Sequence, residues 1–145
     1  MKNTLIATAL VACAALAQAS DPQEDVLRAA RMGEAQLQQL IASGTSIDSM
    51  DGDGETALME AAEKGHLPVV QLLLKNGAQV NVMNEDGKTP LMFAAQEGHT
   101  SVVKALIAAG ADINARDEDG DTALKIAEDE KHADTAAVLR AAGAQ

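Results

Sequence analysis

Apolar and polar positions recur along most of this chain with one long beat. Gly54, Gly87 and Gly120 stand 33 residues apart, as do Gly44, Gly77, Gly110 and Gly143. Thr56, Thr89 and Thr122 keep the same step, and so do Leu58, Leu91 and Leu124, and His66, His99 and His132. Asn81 and Asn114 match, with Asp48 one period earlier. Such self-similarity marks a repeat architecture.

Each copy reads as two short helices. In the copy from Asn84 to Arg116, Asp86-Gly87 signals a turn. Thr89-Pro90 opens a helix, Thr as N-cap and Pro where its missing N–H costs nothing. Leu91, Phe93, Ala94 and Ala95 give that helix a small-residue face, and Gly98 stops it. Thr100 or Ser101 is expected to cap a second helix bearing Val102, Val103, Leu106 and Ile107, which ends at Gly110. The copy before it repeats the plan: Thr56 caps, Gly65 breaks, Pro68 opens the second helix, and Gly77 closes it. Helices this short are marginal alone, since about 12 residues are needed in water. Stacked pairs can bury both faces, so the pattern predicts an all-α solenoid.

The first twenty residues break the beat. Lys2 precedes an apolar run from Leu5 to Ala17, and Ala17-Gln18-Ala19 stands before Ser20. A basic start, a short apolar middle and small residues before a cut describe a secretory signal peptide, residues 1–19, cleaved between Ala19 and Ser20. The run is short for a bilayer span, which takes about 20 residues. Leu10-Val11-Ala12-Cys13 is a competing site, where cleavage would leave a lipid anchor on Cys13. It ranks second because the apolar run continues beyond Cys13. The expected location is the periplasm or the exterior.

Residues 24 to 143 resemble the ankyrin repeat family. The resemblance rests on Gly54-Glu-Thr56-Ala-Leu58-Met-Glu-Ala61-Ala62-Glu-Lys-Gly65-His66 and Leu72-Leu73-Leu74-Lys-Asn-Gly77-Ala78-Gln-Val80-Asn81. It returns in Thr89-Pro90-Leu91-Met-Phe-Ala94-Ala95 and Gly110-Ala111-Asp112-Ile113-Asn114. It implies an ankyrin repeat domain over 20–145 with about four helix-turn-helix repeats, near 24–50, 51–83, 84–116 and 117–145, joined by β-hairpin-like loops. The first and last copies are degenerate and expected to act as caps. The first lacks the Thr-Pro-Leu start; the last has Glu128 and Lys131 where Ala95 and Gly98 stand one period earlier. The family usually places His after Thr-Pro-Leu, tying neighbouring loops. Here those positions hold Met59, Met92 and Lys125, so the two methionines are expected to pack instead.

Charge and composition narrow the function. Eleven basic residues face 22 acidic ones, a net charge of −11, and loss of Lys2 would make it −12. That excludes a general phosphate-backbone binder. Phe93 is the single aromatic residue, so there is no platform for stacking bases. Cys13 is the single cysteine, which leaves the cleaved chain no thiol chemistry.

No catalytic motif is present. Equivalent histidines on stacked helices lie about 8–10 Å apart, too far to share an ion held at about 2 Å, so His66, His99 and His132 read as structural. Asp117, Asp119 and Asp121, with Glu128 completing a twelve-residue span, resemble a calcium loop. Position six needs Gly and holds Thr122. Calcium binding at the acidic loops is therefore an alternative, not the main reading. No cofactor is expected.

The resemblance points to a non-enzymatic protein-interaction module that works as a monomer. Its partner would meet a concave face of loop tips and first-helix ends: Met50, Gly52, Asp53, Glu55, Glu63 and Lys64; Met83, Glu85, Asp86, Lys88, Gln96 and Glu97; Arg116, Glu118, Asp119, Asp121, Lys125, Asp129 and Glu130. Acids dominate that row, so a basic patch on the partner is expected. Small exported bacterial members of the family are associated with peroxide defence, which adds an accessory or inhibitory role toward a periplasmic enzyme such as a catalase as an alternative.

Overall fold

The computed structural model describes residues 22–145. The leader expected over 1–19, its cut before Ser20 and Cys13 lie outside the described residues. Eight helices follow in order: α1 (Pro22–Met32), α2 (Glu34–Ala42), α3 (Ala57–Lys64), α4 (Leu67–Lys75), α5 (Pro90–Glu97), α6 (Thr100–Ala108), α7 (Ala123–Asp129) and α8 (Ala133–Ala141). They form four pairs. The first helices α1, α3, α5 and α7 pack in succession, and the second helices α2, α4, α6 and α8 stack alongside them.

Side-chain size sets this arrangement. Ala61, Ala62, Ala94, Ala95 and Ala127 are fully buried, so the first helices approach closely. The second helices supply bulk through Val69, Val70 and Leu73, then Val102, Val103 and Leu106, and last Leu139, all buried. Each such Val or Leu stabilises by about 1.5–3 kcal/mol. Met59 and Met92 are buried as expected. The Met92 sulfur also accepts the Thr89 N–H at 3.5 Å.

Helix starts follow the sequence on the first helices and depart from it on the second. Thr56, Thr89 and Thr122 accept from the N–H three residues on, at 3.4, 3.4 and 3.3 Å. The expected cap at Thr100 or Ser101 is not found. His99 is the N-cap without a side-chain cap bond, and Thr100 opens α6. The Thr100 hydroxyl is instead hydrogen-bonded to that of Thr135 at 2.9 Å, linking α6 to α8. The described residues contain no strand, and the one β-bridge pairs Met50 with Thr56.

One residue in the last pair is strained. Gly65 and Gly98 end α3 and α5 in the left-handed conformation, at φ 69° and 72°. One period later Lys131 holds φ 64° without being glycine. The left-handed region costs an L-residue about 1–2 kcal/mol. Lys131→Gly is therefore expected to stabilise the protein by about 0.5–1 kcal/mol, net of the freedom glycine gains when unfolded. A thermal melt unchanged or lowered by the substitution would contradict this.

Candidate functional site

Two sets of bonds hold successive loops side by side. In the first, Glu85 donates its N–H to the Asp53 carbonyl at 3.1 Å, and Glu118 donates to the Asp86 carbonyl at 3.0 Å. In the second, the Asp48 carboxylate accepts the Gln79 N–H at 2.9 Å, the Asn81 side-chain carbonyl accepts Asp112 N–H at 2.7 Å, and that of Asn114 accepts Gln145 N–H at 3.1 Å. The periodic Asp48, Asn81 and Asn114 thus tie each repeat to the next. An acceptor oxygen is what the position needs, so Asp and Asn both serve.

The histidines do the same one layer deeper. His99 Nε2 reaches the Glu63 carbonyl at 2.9 Å and His132 Nε2 the Gln96 carbonyl at 3.0 Å. The rings rest on Gly65 and Gly98, where a Cβ would lie 2.5 Å from the ring Nδ1. Glycine is required there twice over, for its positive φ and for the space. No ring rests on Lys131 among the described residues, which explains why that copy tolerates a side chain. The described residues hold no group of three or more His, Cys, Asp or Glu arranged to grip a metal ion.

Within each loop the first residue builds the turn. Asp51 Oδ1 accepts the N–H groups of Asp53 and Glu55, Asn84 Oδ1 those of Asp86 and Lys88, and Asp117 Oδ1 those of Asp119 and Asp121, all at 2.9–3.1 Å. Asn84 performs this task without a charge. The acid at positions 51 and 117 is thus explained by hydrogen bonding, with an oxygen already engaged. Glu128, which would complete a calcium loop, lies on α7 and is paired with Arg140. These contacts weigh against the calcium alternative.

None of the nineteen residues expected to meet a partner is buried. They divide into two groups. The helix-end residues are tied to one another: Lys64 to Glu63 at 3.5 Å, Lys125 to Asp129, and Gln96 to Glu97 at 3.5 Å. Glu130 is exposed as the C-cap of α7. The loop residues are different. Asp53, Glu55, Glu85, Asp86, Glu118, Asp119 and Asp121 enter no ion pair among the described residues, whose four pairs all use acids on helices. Lys88 Nζ donates to Gln96 Oε1 at 3.3 Å and lies over the Phe93 ring at 6.0 Å. Arg116 bends back to the Gly120 carbonyl at 2.8 Å. Gly52 is exposed at the first tip, and Met50 and Met83 are exposed beside theirs.

The sequence reading overlooked one ion pair. Glu60 is 3 % exposed and receives a two-pronged contact from Arg31, Nε to Oε1 at 2.7 Å and Nη2 to Oε2 at 3.1 Å. The hydrogen bond to Glu60, then its charge, pushes the Arg31 guanidinium above its ordinary value. The pair joins α1 to α3. The available signal was periodic: Phe93 and Ile126 are apolar at the places one and two steps beyond Glu60. A carboxylate in such a position needs a partner.

A shallow hollow of about 310 Å³ lies on the last pair, lined by Glu128, Lys131, His132, Ala133, Ala136 and Arg140. The His132 ring there is committed to Gln96, and Arg140 to Glu128.

The sequence matches the ankyrin repeats family in three copies over residues 26–117. The chain belongs to the ankyrin repeat family. Ankyrin repeats are generally protein–protein interaction modules. No curated protein matches the chain. Among the described residues, no helix is long and apolar enough to cross a membrane.

The crowding of acids is legible at Glu55. Burial, then the charges of Asp51, Glu60 and Glu63, raise its carboxyl above the ordinary 4.5, with a bond to Asn84 opposing. A raised acid favours the fold while protonated. That contribution is full below pH 4.5 and is lost as pH climbs past the folded value. Glu55→Gln should therefore raise the melting temperature by about 1–3 °C at pH 7 and leave it unchanged at pH 3. Melts at the two pH values check this, and a gain at pH 3 alone would contradict it.

Proposed function

We propose that this chain is an exported, non-enzymatic docking protein that engages a protein partner through its row of loop tips and first-helix ends. The observation that carries the reading is the separation of charge. Four helix acids, Glu60, Glu63, Glu128 and Asp129, enter ion pairs, whereas the seven loop carboxylates enter none among the described residues. Backbone bonds between neighbouring loops hold the loops that carry these carboxylates side by side, so little backbone ordering is needed on binding. Uncompensated negative charge favours a partner with a basic patch and speeds encounter at low salt. Export follows from the leader pattern of residues 1–19, with the periplasm or exterior as destination.

Capture from a cell-envelope extract tests this. The bait is compared with a variant carrying Asp53→Lys, Asp86→Lys and Asp119→Lys. All three positions are exposed, so the fold should survive. The expected result is a partner retained by the natural protein and lost from the variant. Identical partners from both would remove the acidic row from the account. N-terminal sequencing of the exported protein should give Ser20; a blocked start at Cys13 would instead establish the lipid-anchored form.

A further inference from the structure

We propose that Met50 and Met83 form a two-point apolar anchor for a cationic amphipathic helix lying along the row of loops. This rests on the docking role above and names the chemistry of the partner.

Methionine is sorted sharply by this fold. Met59 and Met92 are 0 % and 1 % exposed, while Met50 and Met83 are 43 % and 48 % exposed. Met50 and Met83 are the exposed large hydrophobic side chains among the described residues. A single exposed apolar side chain is ordinary. Two at the same register, each one residue before a loop, define a feature of the repeat. The third place in that register belongs to Arg116, which is turned back to the Gly120 carbonyl. The apolar feature is thus confined to the first two loops.

These loops do not drift independently. The Glu85 N–H bond to Asp53 joins them, and the Asp48–Gln79 bond joins the repeats on the outgoing side. Successive repeats are spaced by about 10 Å, the distance between packed helices. An α-helix advances about 1.5 Å per residue, so its side chains seven apart match that spacing at about 10.5 Å. An extended strand presents one face at steps of about 6.6 Å and meets only one of the two points. Thioether side chains adapt to the shape of an apolar partner. The unpaired Asp53, Glu55, Glu85 and Asp86 beside them select Lys or Arg on the flanks of the same helix.

The probe is a synthetic Lys/Ala helix carrying two Leu seven residues apart, titrated calorimetrically into the purified full chain. Its control has both Leu replaced by Ser. The control should bind about tenfold more weakly, a difference of about 1.4 kcal/mol. The protein variant Met50→Ser/Met83→Ser should lose the same factor for the Leu peptide and none for the control. Its melt should match that of the natural protein, since both side chains are exposed. Equal binding of the two peptides, unchanged binding by the Met variant, or no binding of either peptide would each overturn the anchor. Should the anchor fail while envelope capture still depends on loop charge, the docking role stands and only the amphipathic partner is lost.

Discussion

The molecule depends on a ring lying on a glycine. At the end of each inner first helix the chain turns left-handed, and the histidine of the next repeat settles on the bare Cα. The ring nitrogen then reaches a carbonyl left over at the helix end. Helix C-termini expose several such carbonyls, so the contact satisfies a polar group and sets the spacing of repeats together. Alanine packing between first helices has little directional content of its own. The ring supplies direction.

Everything at the loops follows from that spacing. With the repeats in register, the N–H of one tip meets the carbonyl of the previous tip, and Asp48, Asn81 and Asn114 reach the chain one repeat further on. A series of turns becomes a continuous edge. Local turn chemistry then uses one oxygen of Asp51, Asn84 and Asp117 and leaves Asp53, Glu85, Asp86, Glu118 and Asp119 exposed to solvent. The edge so formed is joined from loop to loop through its backbone, and its seven loop carboxylates enter no ion pair among the described residues.

Much of this was legible in the period alone. The Thr caps, the glycine stops, the alanine face and the bulky second helices depend on local rules that a single copy displays. The periodic Asn and His were visible as well, but their purpose was not, because each bonds to the neighbouring repeat. The second-helix start was misread for the same reason. Thr100 looks like a cap when taken alone, yet its hydroxyl is used by Thr135 from the following pair. Glu60 was passed over because its partner, Arg31, sits 29 residues away. The division of the acidic row into paired helix ends and unpaired loops required coordinates, since sequence shows how many charges there are and not which ones meet.

The most direct test of the ring-on-glycine contact is a double-mutant cycle in chemical unfolding with Gly65→Ala, His99→Ala and the pair. Gly65→Ala in the natural protein should cost the left-handed strain, about 1–2 kcal/mol, plus the clash of a Cβ placed 2.5 Å from the ring. In the His99→Ala background the clash is gone and only the strain should remain, so the two effects should be less than additive by about 1 kcal/mol or more. Equal cost of Gly65→Ala in both backgrounds would show that the ring does not set the spacing, and the account built on it would fail.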